Sequence, residues 1–117
     1  MSTPGGAVPA APQASAGAFR LVTGAGGALA AQGALTFATA RQARHLGLHA
    51  LSGAGEGGLQ IDCGGITVSD SAGLAVLLDW LAAARAQGRS LRLARLPEGL
   101  TALARISEVD ELLSRGV

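Results

Sequence analysis

The sequence predicts one α/β domain, a small mixed β-sheet with helices packed against it, in the order β-β-α-β-α-β-α-α. Short alternating apolar runs typical of strands are separated, after the first two, by segments with apolar residues at helical spacing. The chain has 117 residues, 49% of them hydrophobic, which is long enough for one modest core. Because helices connect the later strands, part of the sheet should pair in parallel.

The first strand is predicted over FRLVT (19–23), and residues 24–27 form a turn to a second strand, ALAAQ (28–32). A helix follows over 39–52, with Ala43, Leu46, Ala50 and Leu51 on one side and charged or polar residues on the other. Next come a loop over 52–58 and a strand, LQIDC (59–63).

The longest predicted helix runs from about Ser71 to Gln87, and Gly88 is a suitable residue to end it. Its apolar stripe consists of Leu74, Leu77, Leu78 and Leu81. A strand is predicted over LRLAR (91–95), then a short helix from Pro97 with Leu100, Leu103 and Ile106 facing inward, and a last helical segment over 109–115.

Composition restricts the function classes. Nine arginines and no lysine oppose eight acidic residues, for a net charge of +1, and the aromatic residues are two Phe and one Trp. Without an arginine stripe or aromatic side chains for base stacking, nucleic-acid binding is not expected. The single cysteine, Cys63, lies in an apolar run, where it is expected to be a buried hydrophobic residue in a reducing cytoplasm.

The first 18 residues hold three of the four prolines and no charged side chain. They are predicted to form a flexible tail before a domain over 19–117, and they lack the basic start of a secretory signal. The longest apolar run, residues 72–84, is interrupted by Asp79 and is too short to cross a bilayer. A soluble chain without membrane insertion is expected.

Two motifs suggest chemistry but lack its context. Gly53, Gly55 and Gly58 match G-x-G-x-x-G but precede a strand, whereas a dinucleotide loop follows one, so a flexible loop is predicted. His45 and His49 share a helix face without a third ligand, so no metal site is expected. No catalytic motif is present, and neither an enzyme nor a cofactor is predicted.

Ser69, Asp70 and Ser71 stand between the strand over 59–63 and the longest helix. Serine and aspartate cap helices by accepting hydrogen bonds from free N–H groups, which is one interpretation. Alternatively, the Ser71 hydroxyl is presented at the positive end of the helix dipole, where a phosphate is tolerated. Both interpretations can hold, because capping positions the hydroxyl.

The segment DSAGLAVLL (70–78), after the strand LQIDC, resembles the signature of STAS domains, the family of the anti-sigma factor antagonists. In that family a strand leads into D-[ST]-[SAG]-G-L at the head of a helix, and the residue after the aspartate is phosphorylated in the antagonists; here it is Ser71. The resemblance extends over about residues 19–115 and includes GALTFATA (33–40) and residues 88–113. It implies the STAS (SpoIIAA-like) fold.

Within the family, the chain most resembles the MlaB-like STAS subunit of the Mla phospholipid transport system. That resemblance implies a non-catalytic cytoplasmic adaptor, peripheral to the inner membrane, that binds the ATPase subunit of an ABC transporter and supports outer-membrane lipid asymmetry. The alternative is an anti-sigma factor antagonist, bound by an anti-sigma factor and serine kinase that phosphorylates Ser71.

For the adaptor, docking is expected through the Ser69–Gly73 turn and the exposed edge of the following helix, with a hydrogen bond from Ser71 at the centre of the contact. Ala72 belongs to this turn, Gly73 is expected to permit close approach of the partner's backbone, and Leu74 is expected to be shared between core and interface.

Overall fold

The computed structural model describes residues 18–24, 28–55 and 57–117. In this part of the chain, four strands form one sheet in the order β1-β2-β3-β4: β1 (Phe19–Thr23), β2 (Leu29–Leu35), β3 (Leu59–Ser69) and β4 (Leu91–Ala94). The helices are α1 (Ala40–Ser52), α2 (Ser71–Ala86), α3 (Glu98–Ile106) and α4 (Asp110–Arg115). The order of elements is the predicted one. The predicted tail, except for its last residue, lies outside the described residues and stays a prediction.

The sheet is mixed, as predicted. Strand β1 pairs antiparallel with β2, from Phe19 opposite Gly33 to Thr23 opposite Leu29. Strands β2, β3 and β4 pair in parallel, as the crossover helices α1 and α2 require. The carboxyl ends of these three strands therefore lie at one edge of the sheet, where α1, α2 and α3 begin. We call this side of the molecule the C-terminal edge.

Strand β3 is longer than predicted, because it continues through Gly64 and Gly65 to Ser69. The prediction ended it at Cys63, and two adjacent glycines do weaken a strand. In the structure the pairing with β2 shifts register there: Ala30 and Gln32 lie opposite Asp62 and Gly65, so β3 has one extra residue. A Cβ atom on Gly65 would lie 3.0 Å from the Ala31 carbonyl oxygen, a tight contact, so glycine fits the bulge without a shift of its neighbours. Strand β2 also extends beyond its prediction, to Leu35.

Helix α2 lies at the centre of the core. Leu74, Leu77 and Leu81 are buried as predicted and Leu78 is half-buried, but Val76 and Trp80 are buried too. The Trp80 ring lies 6.0 Å from the Phe19 ring, tilted by 51°. It packs against α1 at Gly47, where a Cβ atom would lie 2.1 Å from the indole. Absence of a side chain at Gly47 thus allows the two helices to enclose the largest side chain of the protein.

One residue of α3 that was predicted to belong to the core is exposed. Leu100 is buried and Leu103 half-buried, but Ile106 is 79% exposed. The buried residue of the last turn is Ala104. Ile106 follows it by two positions, which places its side chain on the opposite side of the helix. The prediction of an inward Ile106 was wrong.

Two further predictions concern Cys63 and the glycines of the loop before β3. Cys63 is fully buried, as expected. Gly53, Gly55 and Gly58 lie in the loop that precedes β3, and Gly58 has a φ of +89°, a conformation that favours glycine. Within the described residues, no helix combines the length and the apolar character needed to cross a membrane.

Candidate functional site

The Ser69–Leu74 turn lies at the C-terminal edge, where β3 ends and α2 begins. Asp70 is the N-cap of α2: its backbone is extended, and its carboxylate accepts a hydrogen bond of 3.1 Å from the Gly73 N–H. The predicted capping interaction is therefore made by the aspartate. Ser69 and Ala72 on either side are half-buried.

The second carboxylate oxygen of Asp70 connects the turn to a different segment. It accepts a hydrogen bond of 3.0 Å from the N–H of Phe37, in the loop between β2 and α1. The N–H groups of Phe37 and then Gly73 stabilise the charged carboxylate, and they lower the pKa of Asp70 below its usual range. One ionised side chain thus joins the starts of α1 and α2.

The loop between β2 and α1, residues 36–39, is held by its own threonines. The Thr39 hydroxyl, which is buried, donates to the Ala34 carbonyl at 2.9 Å and accepts from the Thr36 N–H at 3.0 Å. The Thr36 hydroxyl accepts from the Ala38 N–H at 3.3 Å. Together with the Asp70 bond, these contacts fix the backbone on both sides of Phe37.

Ser71 is the first residue of α2, and it is exposed. Within the described residues its hydroxyl makes no hydrogen bond, because Asp70 supplies the cap. The hydroxyl is therefore accessible at the positive end of a 16-residue helix. This position suits contact with another molecule or modification by a phosphate.

Gly73 and Leu74 both pack inside the domain, and their contact with a partner stays a prediction. Gly73 is buried, and a Cβ atom there would lie 2.1 Å from the Leu35 carbonyl oxygen at the end of β2. The close backbone approach expected with a partner is thus made within the domain. Leu74 is 5% exposed and belongs to the core. Of the predicted turn, Ser71 is the residue that faces outward.

Phe37 is a feature of this edge that sequence reasoning missed. Its side chain is 84% exposed although its backbone is bound to Asp70. A signal for it exists in the sequence, since Phe37 stands in a polar turn between a strand and a helix, where an aromatic residue has no apolar stripe to join.

The ionisable and nucleophilic side chains of the domain lie in different environments. Asp70 is a weak base, because its carboxylate is stabilised in the charged form by backbone N–H groups. Cys63 lies in the core, and burial raises the pKa of its thiol to about 12. His45 and His49 are exposed on α1, and the described residues contain no group of three side chains suited to a metal ion.

Comparison with known proteins identifies the family. The family model described as "Mlab, STAS domain" matches residues 21–114. The chain belongs to the MlaB-type STAS domain family. No curated protein sequence matches the chain.

Among solved structures, this STAS domain is similar to the anti-sigma factor antagonist SpoIIAA in its unphosphorylated form. The match has a TM-score of 0.53 and 15% identity, and it covers 85% of this chain and 99% of that one. The likeness confirms the predicted SpoIIAA-like fold. In the STAS signature, Asp70 and Ser71 stand at the helix start, as the motif in the sequence predicted.

Proposed function

We propose that the chain is a non-catalytic adaptor that binds the ATPase subunit of an inner-membrane ABC transporter for phospholipids. The observation that carries this proposal is the match of residues 21–114 to the MlaB-type STAS model. The protein would then lie in the cytoplasm, held at the inner membrane by its partner, and support outer-membrane lipid asymmetry.

The proposed contact centres on Ser71. Its exposed hydroxyl has no partner within the described residues, so it is free to exchange a hydrogen bond with the ATPase. The start of α2 is rigid, because Asp70 accepts from both Gly73 and Phe37. A rigid docking surface loses little conformational freedom on binding. The adaptor would act by stabilising the conformation of the ATPase that it binds.

Substitutions at Ser71 test this contact. Ser71→Asp should remain folded, since the position is exposed and a negative charge suits a helix N-terminus. At the centre of an interface the same charge would be buried without a partner, which should weaken binding by several kcal/mol, roughly a hundredfold or more. Ser71→Thr keeps the hydroxyl and should bind. Calorimetric titration with the purified ATPase subunit from the same cells, beside melting curves, measures both effects.

Ser71→Ala is the matched control for folding. Because Asp70 makes the cap, this variant should not show the loss of about 0.5–2 kcal/mol expected for a missing N-cap. Equal binding of the ATPase by wild type and Ser71→Asp would refute the proposed contact. Absence of binding by the wild type would refute the proposed partner.

A second function, that of an anti-sigma factor antagonist, is supported by the accessible Ser71 hydroxyl and by the likeness to SpoIIAA. A phosphate there would add up to about two negative charges next to the ionised Asp70. Incubation with the host's anti-sigma factor kinases and ATP, followed by mass spectrometry, tests this function. Phosphorylation confined to Ser71 would favour it over the adaptor function.

A further inference from the structure

We infer that Phe37 and Arg41 form a second contact on the docking surface, one that binds an apolar pocket bordered by a carboxylate on the ATPase subunit. This inference rests on the proposed function and extends it from Ser71 to the start of α1. It assigns chemistry to the partner's surface: a cavity that accepts an aromatic ring, with an acidic side chain beside it.

The exposure of Phe37 is the first argument. The protein has three aromatic residues; Phe19 and Trp80 are 1% and 0% exposed, whereas Phe37 is 84% exposed. Leaving an aromatic ring in water gives up the stabilisation that its burial would provide. In protein interfaces, exposed aromatic residues of this kind insert into partner pockets and carry much of the binding energy.

The rigidity of the loop is the second argument. The Phe37 N–H is bound to Asp70, and the flanking residues are held by Thr36 and Thr39. The ring is therefore presented from a fixed backbone, and little conformational entropy of the main chain is lost when it docks.

The loop of Phe37 lies next to Ser71, because the Asp70 carboxylate binds both segments. Asp70 binds Phe37 at 3.0 Å through one oxygen and Gly73 at 3.1 Å through the other, and Ser71 is the next residue in the chain. A partner that contacts the Ser71 hydroxyl therefore meets the loop of Phe37 on the same side of the molecule.

The positive charge of Arg41 on α1 is the reason that we expect a carboxylate on the partner. Helices α1 and α2 start at the same edge and run side by side, and Arg44 pairs with Asp79 at 3.2 Å. One turn earlier in each helix the residues are Arg41 and Ala75, both exposed, so the α2 residue one turn before Asp79 is not acidic. The ion pairs within the described residues do not include Arg41.

The place of Arg41 in the helix also has a cost. The first turn of α1 contains no acidic residue, and a positive side chain there opposes the helix dipole. The ionised Asp70, bound to the Phe37 N–H, is the acid that the domain itself supplies near this helix start, and a carboxylate from a partner would add to its effect on the charge of Arg41. Exposed Phe37, Arg41, Ala75 and Ser71 thus define a surface with apolar, positive and hydrogen-bonding parts.

The test for the aromatic contact measures the affinity of the purified ATPase subunit for the full chain and three variants. Phe37→Ala should weaken binding about tenfold or more, and Phe37→Leu should weaken it less, because part of the apolar contact remains. Ile106→Ala is the matched control, since Ile106 is 79% exposed at the end of α3; its affinity should stay within about twofold of wild type. Melting temperatures of all variants should agree within about 2 °C.

The test for the charged contact uses Arg41→Glu, which should also weaken binding about tenfold and reduce its dependence on salt. Glutamate is favourable in the first turn of a helix, so unfolding would not explain the loss. The control is Arg115→Glu at the end of α4, where the Val117 N–H binds the Leu91 carbonyl at the start of β4, far from the C-terminal edge.

Affinities of Phe37→Ala and Arg41→Glu within about twofold of wild type would overturn the inference while leaving the proposed function intact. A wild-type chain that does not bind the ATPase would refute the proposed function and, with it, the partner named here. A change in the apparent mass of the isolated chain on substitution of Phe37 would also overturn the inference, since the surface would then join two copies of the protein.

Discussion

Trp80 and Phe37 occupy opposite environments in a protein with few aromatic residues. Trp80 is fully buried between Gly47 on α1 and Phe19 on β1, where both neighbours accommodate its ring. Phe37 is 84% exposed, although hydrogen bonds fix its backbone. Polar contacts hold the loop and packing holds the helix pair, yet the loop leaves its largest side chain in water.

The two regions use different interactions to fix their conformation. At the contact of α1 and α2, glycine is used to bury more apolar surface, which stabilises the fold. At the C-terminal edge, the buried Thr39 and the ionised Asp70 hold a conformation that buries no ring. The exposed Phe37 ring adds little to stability, which is why we propose a binding role for it.

The largest expected effect lies at Trp80. Trp80→Ala should lower the free energy of unfolding by about 3–5 kcal/mol, because it opens a cavity between α1, α2 and β1 that the backbone cannot fill. Denaturant unfolding followed by circular dichroism measures the loss. A loss below about 1 kcal/mol would mean that the helices collapse onto the vacated space and that the packing at Gly47 is not specific.

An intermediate effect is expected at Asp70. Asp70→Ala should cost about 1–3 kcal/mol, since it removes the N-cap of α2 and the bond to Phe37 together. Asp70→Asn should cost less, because asparagine also caps helices. If both variants were as stable as wild type, the C-terminal edge would not depend on this carboxylate.

The Asp70 contribution should also depend on pH. Its pKa is lowered in the folded protein, so the unfolded chain binds the proton more tightly. The stabilisation is present above the unfolded pKa of about 3.9 and is lost as the pH falls through the folded pKa. The difference in unfolding free energy between wild type and Asp70→Asn should therefore shrink below about pH 4, and a difference independent of pH would contradict the assignment.

The smallest effect on stability is expected at Phe37. Phe37→Ala should change the unfolding free energy by less than about 0.5 kcal/mol, because the ring makes little contact with the domain. The same denaturant measurement applies. A loss comparable to that of Trp80→Ala would show that the ring packs on the domain and would remove the contrast between the two residues.

Most of the fold could be predicted from the sequence because its periodicities are local. The stripe of Leu74, Leu77 and Leu81 and the alternation of β4 are visible in the chain itself. The predictions were wrong where tertiary contacts determine the structure. Gly64 and Gly65 interrupt a strand by propensity, but pairing with β2 carries β3 through them by a bulge. Ile106 is apolar and follows a buried stripe, yet the last helical turn directs it outward.

The turn at Ser71 could be predicted as a motif, but the role of each residue in the turn could not. Sequence alone does not tell which of Ser69, Asp70 and Ser71 makes the cap, because all three residue types can. The bond from Phe37 to Asp70 joins residues 33 positions apart and has no local signature. That bond is also what draws Phe37 into the candidate site.

The chain has one tryptophan and no tyrosine, so excitation near 280 nm reports almost entirely on Trp80. Its indole is fully buried, and within the described residues the ring N–H has no hydrogen-bond partner. The native emission should therefore be blue-shifted and should move to longer wavelength on unfolding. Trp80 follows Ser71 by nine positions in the same helix, and its indole is buried. A docked partner that contains neither tryptophan nor tyrosine should therefore leave the emission unchanged, and a spectral shift on binding such a partner would report rearrangement of the helix pair itself.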